Sequence, residues 1–458
     1  MKSNFTFIWF LAAMTLLSSS RGAFTQDPPP DDLRKTIEAL RLEVARLREE
    51  GNEAERLAEI ERRLDLLAAE IEKTRTGGAT EVEVAAKGEP GFGPAASKVY
   101  RTARGVSLGG YGEALYQNFG RQQQDGAPSE LQDQLDLVRV VLYTGYKFSD
   151  RILFNSEIEY EHASTGEGDE VRGEVSVEQA YLDLKPWKSV GFRAGMVVLP
   201  LGFINELHEP PIFFGSRRPE VEQALIPTTW HEVGLGLFGE SGPFQWRGYA
   251  VAGLNAAGFT SEGIEEGRQQ GSQSLAENLA LTGRLDFVGA PGLLLGLSGF
   301  TGNSGQGASI DGQAIEARVS LFDLHAQYER SGFQARALLV RTRISDVALV
   351  IAQNGFNGDE SVGSRQYGFY AEAAFDVMNR RPKGQWAVVP FVRYERLSTQ
   401  DAVPEGFAKD PSLDRTVWTA GLSVKPLTNV VLKADYQWLA NKAKTGTNQF
   451  NLAIGYLF

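Results

Sequence analysis

The chain has 458 residues, no cysteine and four histidines, and its 58 acidic side chains outnumber 46 lysines and arginines for a net charge of −12. Without cysteine there are no disulfide staples and no thiol chemistry. The acidic balance speaks against a nucleic-acid partner.

The N-terminus carries Lys2, an apolar run from Phe5 to Leu17 and then small residues. This pattern predicts a secretory signal peptide over 1–23. Beyond it no apolar run approaches the roughly 20 residues of a membrane helix. A membrane-crossing form would therefore be a closed barrel, which satisfies its own backbone groups in lipid.

Residues 31–75 read as a coiled-coil segment. Leu33, Ile37, Leu40, Val44 and Leu47 recur at 4, 3, 4, 3, and Leu57, Ile60, Leu64, Leu67 and Ile71 at 3, 4, 3, 4. These are heptad seams between Arg and Glu. The two seams are out of register, which predicts a skip at Gly51–Asn52. A seam this narrow calls for a partner helix, and its β-branched and Leu positions point weakly to a dimer. Residues 76–104, rich in Gly, Ala and Pro, read as a linker.

From residue 105 to the end, alternation with period two takes over. It predicts strands at 106–118, 135–148, 151–162, 175–186, 190–199, 231–239, 244–255 and 277–288. Further strands are predicted at 292–301, 313–330, 333–343, 365–377, 384–396, 414–426, 429–441 and 447–458. The connections alternate between short turns, such as "FSD", "ESGP" and "SG", and long loops, such as 200–230 and 344–364. Short turns at one end and long loops at the other mark a transmembrane barrel. The expected fold is thus an all-β transmembrane barrel of about sixteen antiparallel strands, preceded by a periplasmic α-helical coiled-coil segment, and a barrel of that size has room for an aqueous channel.

The two faces of each strand differ. Ile152, Phe154, Ile158 and Tyr160 oppose Asn155, Glu157, Glu159 and Glu161. The apolar face is expected to meet lipid, with Tyr146, Trp187, Trp386 and Trp438 in the interfacial girdles. The same registers point Arg139, Arg193, Arg247, Arg284, Arg393 and Lys433 into the lumen. They also point Glu113, Glu157, Glu159, Asp183, Asp286, Glu395 and Asp435 there. Glu157, Glu159 and Glu161 are read as braces for lumen arginines rather than as a cation-attracting wall.

The chain ends "NLAIGYLF". This resembles the aromatic final strand, closing on Phe, that the assembly machinery of bacterial outer membranes reads, and it makes Phe458 the expected contact. Three stretches, "GVSLGGYGEALYQNF", "QAYLDLKPWKSVGFRAGMVVLPLGF" and "VVPFVRYERL", resemble the phosphate-selective porin O and P family over roughly 100–458. The resemblance implies a trimeric outer-membrane porin of sixteen strands, with the third long loop folded into the lumen. It also implies anion selection by Arg and Lys, passive diffusion of small hydrophilic solutes and no covalent chemistry or cofactor. The N-terminal segment is expected to lie in the periplasm and either hold protomers together or touch the peptidoglycan of the cell wall.

In the candidate constriction loop, Arg217 and Arg218 stand against Glu206, Glu209, Glu220 and Glu222. Opposite signs lining a narrow pore partly cancel, so phosphate specificity is not expected to follow from the loop alone. Phe203, Phe213, Phe214 and Trp230 offer a rival reading as a stacking slide for sugars or organic acids. A tether between outer membrane and cell wall, with a closed barrel, is a further rival. "NELHE" at 205–209 groups Glu206, His208 and Glu209 without the spacing of a zinc motif, so no metal is expected. No nucleophile–histidine spacing supports an enzyme.

Overall fold

The computed structural model describes residues 88–163, 173–357, 360–379 and 386–458. The expected signal peptide, the coiled-coil segment and the first part of the linker lie outside the described residues.

Sixteen strands close into one antiparallel barrel. In chain order the first eight are β1 (Gly105–Phe119), β2 (Gln134–Ser149), β3 (Ile152–Glu161), β4 (Val175–Leu184), β5 (Val190–Val198), β6 (His231–Ser241), β7 (Phe244–Ala252) and β8 (Leu279–Ala290). The second eight are β9 (Leu293–Gly302), β10 (Val319–Arg330), β11 (Phe333–Ile344), β12 (Arg365–Phe375), β13 (Ala387–Ala402), β14 (Asp414–Leu427), β15 (Val430–Asn441) and β16 (Gln449–Leu457). Each strand pairs with its sequence neighbours, and β1 closes on β16 from Tyr111↔Leu457 to Phe119↔Gln449. Every run predicted from alternation coincides with a barrel strand.

The differences lie at strand ends. The run expected from 313 starts only at Val319, because Gln313–Ala314 pair with Ser309–Ile310 in a small separate hairpin. Between that hairpin and the strand, buried Ile315 and Ala317 alternate with exposed Glu316 and Arg318, which imitates a longer strand. β13 continues to Ala402, beyond its expected end at 396, since Arg365↔Ala402 still pairs across β12. The 344–364 loop holds a helix, Val347–Asn354, stopped by Gly355 at φ 71°, the left-handed turn that glycine adopts without strain.

β16 alternates strictly. Gln449, Asn451 and Ala453 are buried inside, and Phe450, Leu452, Ile454 and Tyr456 are exposed outside. The same outward apolar exposure recurs around the barrel, as at Leu142, Leu235, Leu281, Phe322, Phe369 and Trp418. Tyr146, Trp187, Trp386 and Trp438 are all exposed, as expected for girdle positions. A belt this continuous far exceeds the scattered apolar exposure of a soluble monomer. It matches the surface that a barrel offers to hydrocarbon. Among the described residues no helix is long and apolar enough to cross a membrane.

The barrel closes tightly at the C-terminus. Gly110 N–H donates to the Phe458 carbonyl at 3.1 Å and Phe458 N–H to Gly110 at 3.0 Å. A Cβ on Gly110 would meet the Val141 carbonyl oxygen at 2.2 Å and the Phe458 ring at 2.6 Å. Glycine there lets the terminal ring lie against β1.

Candidate functional site

The wall of this barrel is polar, but its lumen is not an open tube. The inward residues at mid-height, among them Tyr111, Tyr181, Asp323, Tyr370, Arg393 and Gln437, are almost wholly buried. Two pieces of the chain fill the space.

The first is the connection from Leu199 to Trp230. Its neck is closed by Leu199 N–H to the Trp230 carbonyl at 3.0 Å. Asn205 adds three bonds, donating to the carbonyls of Leu199 (2.7 Å) and Trp230 (3.0 Å) and accepting Trp230 N–H (2.6 Å). Within the loop a short helix, Glu220–Leu225, follows Pro219. Glu222 on this helix accepts Phe203 N–H (2.9 Å), Ile204 N–H (2.7 Å) and the Tyr370 hydroxyl (2.6 Å). Burial lifts the Glu222 carboxyl above the usual carboxylate range, and these hydrogen bonds only partly oppose it.

The wall holds the loop backbone directly. Ser216 N–H donates to Asp435 at 2.5 Å, and Val221 N–H to Glu395 at 3.1 Å. Lys433 donates to the Gly215 carbonyl at 2.8 Å, with its ammonium 3.5 Å from the Phe213 ring centre. Arg336 donates to the Ile212 carbonyl at 2.8 Å. Much of the wall's charge therefore meets the loop.

The second piece is residues 88–104, the described part of the Gly/Pro-rich stretch. It folds back from the short-turn end into the barrel, with Ala95, Ala96, Ser97 and Val99 buried. One turn of helix, Lys98–Arg101, packs on β1, β2 and β3. Tyr100 donates to Asp183 at 2.8 Å and accepts Arg193 at 3.0 Å. The Phe92 ring lies 4.7 Å from the Arg193 guanidinium carbon. Glu209 of the lumen loop accepts the Ala95 and Ala96 N–H groups, each at 3.0 Å. The two pieces are thus bonded to each other inside the wall.

Most of the residues expected in the lumen are buried within the barrel and find opposite charges. Arg139 reaches Glu159 at 2.9 Å, Glu161 at 3.5 Å and Glu113 at 3.7 Å. Arg193 pairs with Asp183 at 2.7 Å, and Arg393 with Glu395 at 2.7 Å. Arg247 pairs with Glu206 and, at 3.4 Å, with Asp286, which Arg284 also reaches at 2.8 Å. Glu157 stands apart: Gln179 donates to it at 3.0 Å, and His208 Nε2 lies 3.0 Å from its other oxygen.

The side chains of Arg217 and Arg218 lie in different surroundings. Arg217 reaches Glu220 at 3.3 Å with its side chain 28% exposed. A cleft of about 290 Å³ at the long-loop end is lined by Arg217, Glu220 and Arg415. Arg218 is 7% exposed, and its Nε and Nη2 have no hydrogen-bond partner. The residues of "NELHE" also separate, with Glu206 on Arg247, Glu209 on residues 95 and 96, and His208 on β3 and β4. The loop aromatics are packed rather than laid out as a slide. Phe203 is 5.0 Å from the His325 ring, Phe214 is 5.9 Å from Phe391, and Trp230 is 4.6 Å from Phe300. Ser298 donates to Asp323, not to His325, so these three do not make a nucleophile–base pair.

No family model matches the chain. It is 36% identical over 376 residues to an uncharacterized protein of Aquifex aeolicus (strain VF5), covering 80% of this chain and 83% of that protein. The chain belongs to the family of that Aquifex protein. Among solved structures, OmpF of Salmonella typhi in complex with daunomycin matches with a TM-score of 0.50 at 13% identity, over 78% of this chain and 98% of that one. OmpT of Vibrio cholerae, expressed in the outer membrane, matches with a TM-score of 0.48 at 10% identity, over 78% of this chain and 98% of that one. The OmpF likeness is one of fold, the closed sixteen-strand porin barrel.

Within this family member, sequence reasoning missed Tyr100, Glu178, Asp323, His325, Arg336 and Glu372 as interior residues. Asp323, His325, Arg336 and Glu372 follow the alternation of their strands and were within its reach. Tyr100 sits in a segment without period. Glu178 sits at a bulge: opposite β3 the register steps from Glu157↔Gln179 to Ile158↔Val177. Glu178 and Gln179 are consequently both buried on the lumen side. An added residue of this kind breaks alternation and re-aims a side chain.

Proposed function

We propose that this protein is a bacterial outer-membrane porin that passes small hydrophilic solutes down their gradient. The carrying observation is a closed barrel with an apolar outer face and a charged inner wall. A soluble barrel would place its apolar face inside. The loop 199–230 and residues 88–104 fill the cross-section, so solutes pass beside them only if small, or when one of them shifts.

Anion preference, phosphate included as in the family that the sequence resembles, rests on Arg218. A buried guanidinium with two free N–H directions is suited to an oxyanion. The remaining lumen arginines are engaged by carboxylates, which makes a long arginine ladder the weaker part of this reading. The proposal further includes a homotrimer in outer-membrane lipid, insertion by assembly machinery that recognises Phe458, and an N-terminal segment that reaches peptidoglycan from the periplasm.

A second reading, a tether whose barrel stays closed, is favoured by the filled lumen. One measurement separates the two: the conductance and zero-current potential of the purified protein in a planar bilayer under a salt gradient, repeated with phosphate. An anion-selective potential, with phosphate reducing chloride current, supports the anion porin. A cation-selective potential leaves a general porin. No conductance from a folded barrel, together with binding to cell-wall sacculi that requires 31–75, supports the tether.

A further inference from the structure

The imidazole of His208 joins β3 and β4 in an arrangement that ion pairing leaves incomplete. His208 Nδ1 lies 2.9 Å from the Asn205 carbonyl oxygen, so Nδ1 carries a proton and donates it there. Asn205 is itself held at the loop neck, which fixes the ring. The other nitrogen, Nε2, faces Glu157 Oε1 at 3.0 Å and Glu178 Oε2 at 3.7 Å. The far oxygen of each carboxylate is anchored by a protein donor, Gln179 on Glu157 Oε2 and Thr229 on Glu178 Oε1. One oxygen of each is thereby turned toward Nε2. All three ligand atoms lie within 4.8 Å of one another, and all three residues are buried.

A second proton on the imidazole would satisfy Glu157 alone. It would leave Glu178 Oε2, in a side chain 5% exposed, with no N–H or O–H donor, because the Glu159 carboxylate beside Glu178 is itself an acceptor. A buried carboxylate oxygen left in that state has given up its hydration with nothing in exchange. Close by, the Tyr111 ring centre is 6.1 Å from the imidazole, and its buried hydroxyl also lacks a partner. Three acceptors converge where one small divalent cation would satisfy them together.

We propose that Glu157, Glu178 and His208 form a site for a first-row divalent metal ion of the zinc kind. The donor set, one imidazole and two carboxylates, suits zinc or cobalt and is poor for calcium or magnesium, which prefer a fuller set of oxygens. A tetrahedral ion with bonds of ~2.1 Å spaces its ligand atoms by about 3.4 Å. The observed 3.0 Å and 3.7 Å bracket that spacing. Two carboxylates and a neutral imidazole balance the ion's charge, and Arg218, the cation that faces His208, faces the Glu159 carboxylate as well. The Nδ1–H bond to a carbonyl is the outer contact that orients a ligating histidine. The fourth position remains for water. An ion here links β3, the bulge of β4 and the lumen loop, whether or not the barrel conducts.

The test is a Co²⁺ titration of the full-length, refolded, chelator-stripped protein, read by visible absorption, followed by Zn²⁺ displacement and elemental analysis. The expected result is one equivalent of Co²⁺ with the intense bands of four- or five-coordination, displaced by Zn²⁺. Glu178→Gln, which keeps an acceptor for Thr229, is expected to weaken binding at least tenfold. Glu161→Gln, a carboxylate of the same wall outside the set, is expected to bind as the parent does. Heat-modifiable gel migration checks folding in each case. A parent protein that gives only the weak spectrum of hydrated Co²⁺ overturns the proposal. So does a Glu178→Gln variant that binds as tightly as the parent.

Discussion

The carboxylate of Glu209 accepts the N–H of Ala95 at 3.0 Å, across 114 residues of chain. Its other oxygen lies 3.2 Å from the same nitrogen. This bond joins the lumen loop to the segment that enters from the short-turn end. It is made inside the wall, where Glu209 is buried and neither partner has water as an alternative. Gly93 permits the approach, since a Cβ there would fall 2.3 Å from the Glu209 carboxyl.

The two obstructions should therefore be separable. Deleting residues 88–101 is expected to raise single-channel conductance several-fold. Glu209→Gln, which replaces one of the two oxygens facing Ala95 with an amide N–H, is expected to give intermediate, noisier currents and easier proteolysis within 88–104. Unchanged conductance in the deletion would mean that the loop alone sets the passage.

Arg218 and Arg217 should differ in effect. A unit charge ~6 Å from a permeating ion is worth about 2–3 kcal/mol at an effective dielectric near 20. Arg218→Ala is expected to lower the anion-to-cation permeability ratio at least threefold, as read from the zero-current potential. Arg217→Ala should change it little, because a half-buried charge at the mouth, already paired with Glu220, is partly neutralised and screened by salt. Equal effects from the two would contradict the separation of their side chains.

Glu222 holds the loop through two backbone N–H groups. Glu222→Ala orphans both, at about 1–3 kcal/mol each, and should lower the thermal midpoint of the folded barrel. Glu222→Gln keeps an acceptor and should cost much less. The folded carboxyl titrates above its ordinary value near 4.3, as burial requires. Its contribution to stability is therefore full below that ordinary value and is lost as pH rises through the folded one. Melting the parent and Glu222→Gln across this range should show a steeper loss of stability in the parent, since other buried carboxyls such as Glu209 titrate in both.

The seam between β1 and β16 depends on glycine. Gly110→Val would drive a side chain into the Val141 carbonyl and the Phe458 ring. It is expected to abolish the heat-modifiable folded form. Phe458→Ala preserves the backbone bonds to Gly110 and should reduce outer-membrane yield while leaving refolding in detergent largely intact. Loss of refolding as well would assign Phe458 a packing role instead of a recognition role.

The barrel could be read from the chain because its cause is local and repeated. Lipid outside and charge inside force every other residue to alternate, and β16 states the rule from Gln449 to Leu457. The sorting of short turns and long loops follows from the same closure. The contents of the lumen have no such period. Residues 88–104 look like a linker because Gly, Ala and Pro carry no pattern, yet Ala95 and Ala96 supply the N–H groups that Glu209 requires. Arg217 and Arg218 are neighbours in sequence, but the turn before Glu220–Leu225 leaves one at the mouth and buries the other. Glu178 joins Glu157 and His208 only because a bulge adds one residue to β4. Alternation is set by the solvent that each face meets, which a single strand already records. The pairing of buried charges is set by which distant segments fill the enclosed space, and only the closed barrel decides that.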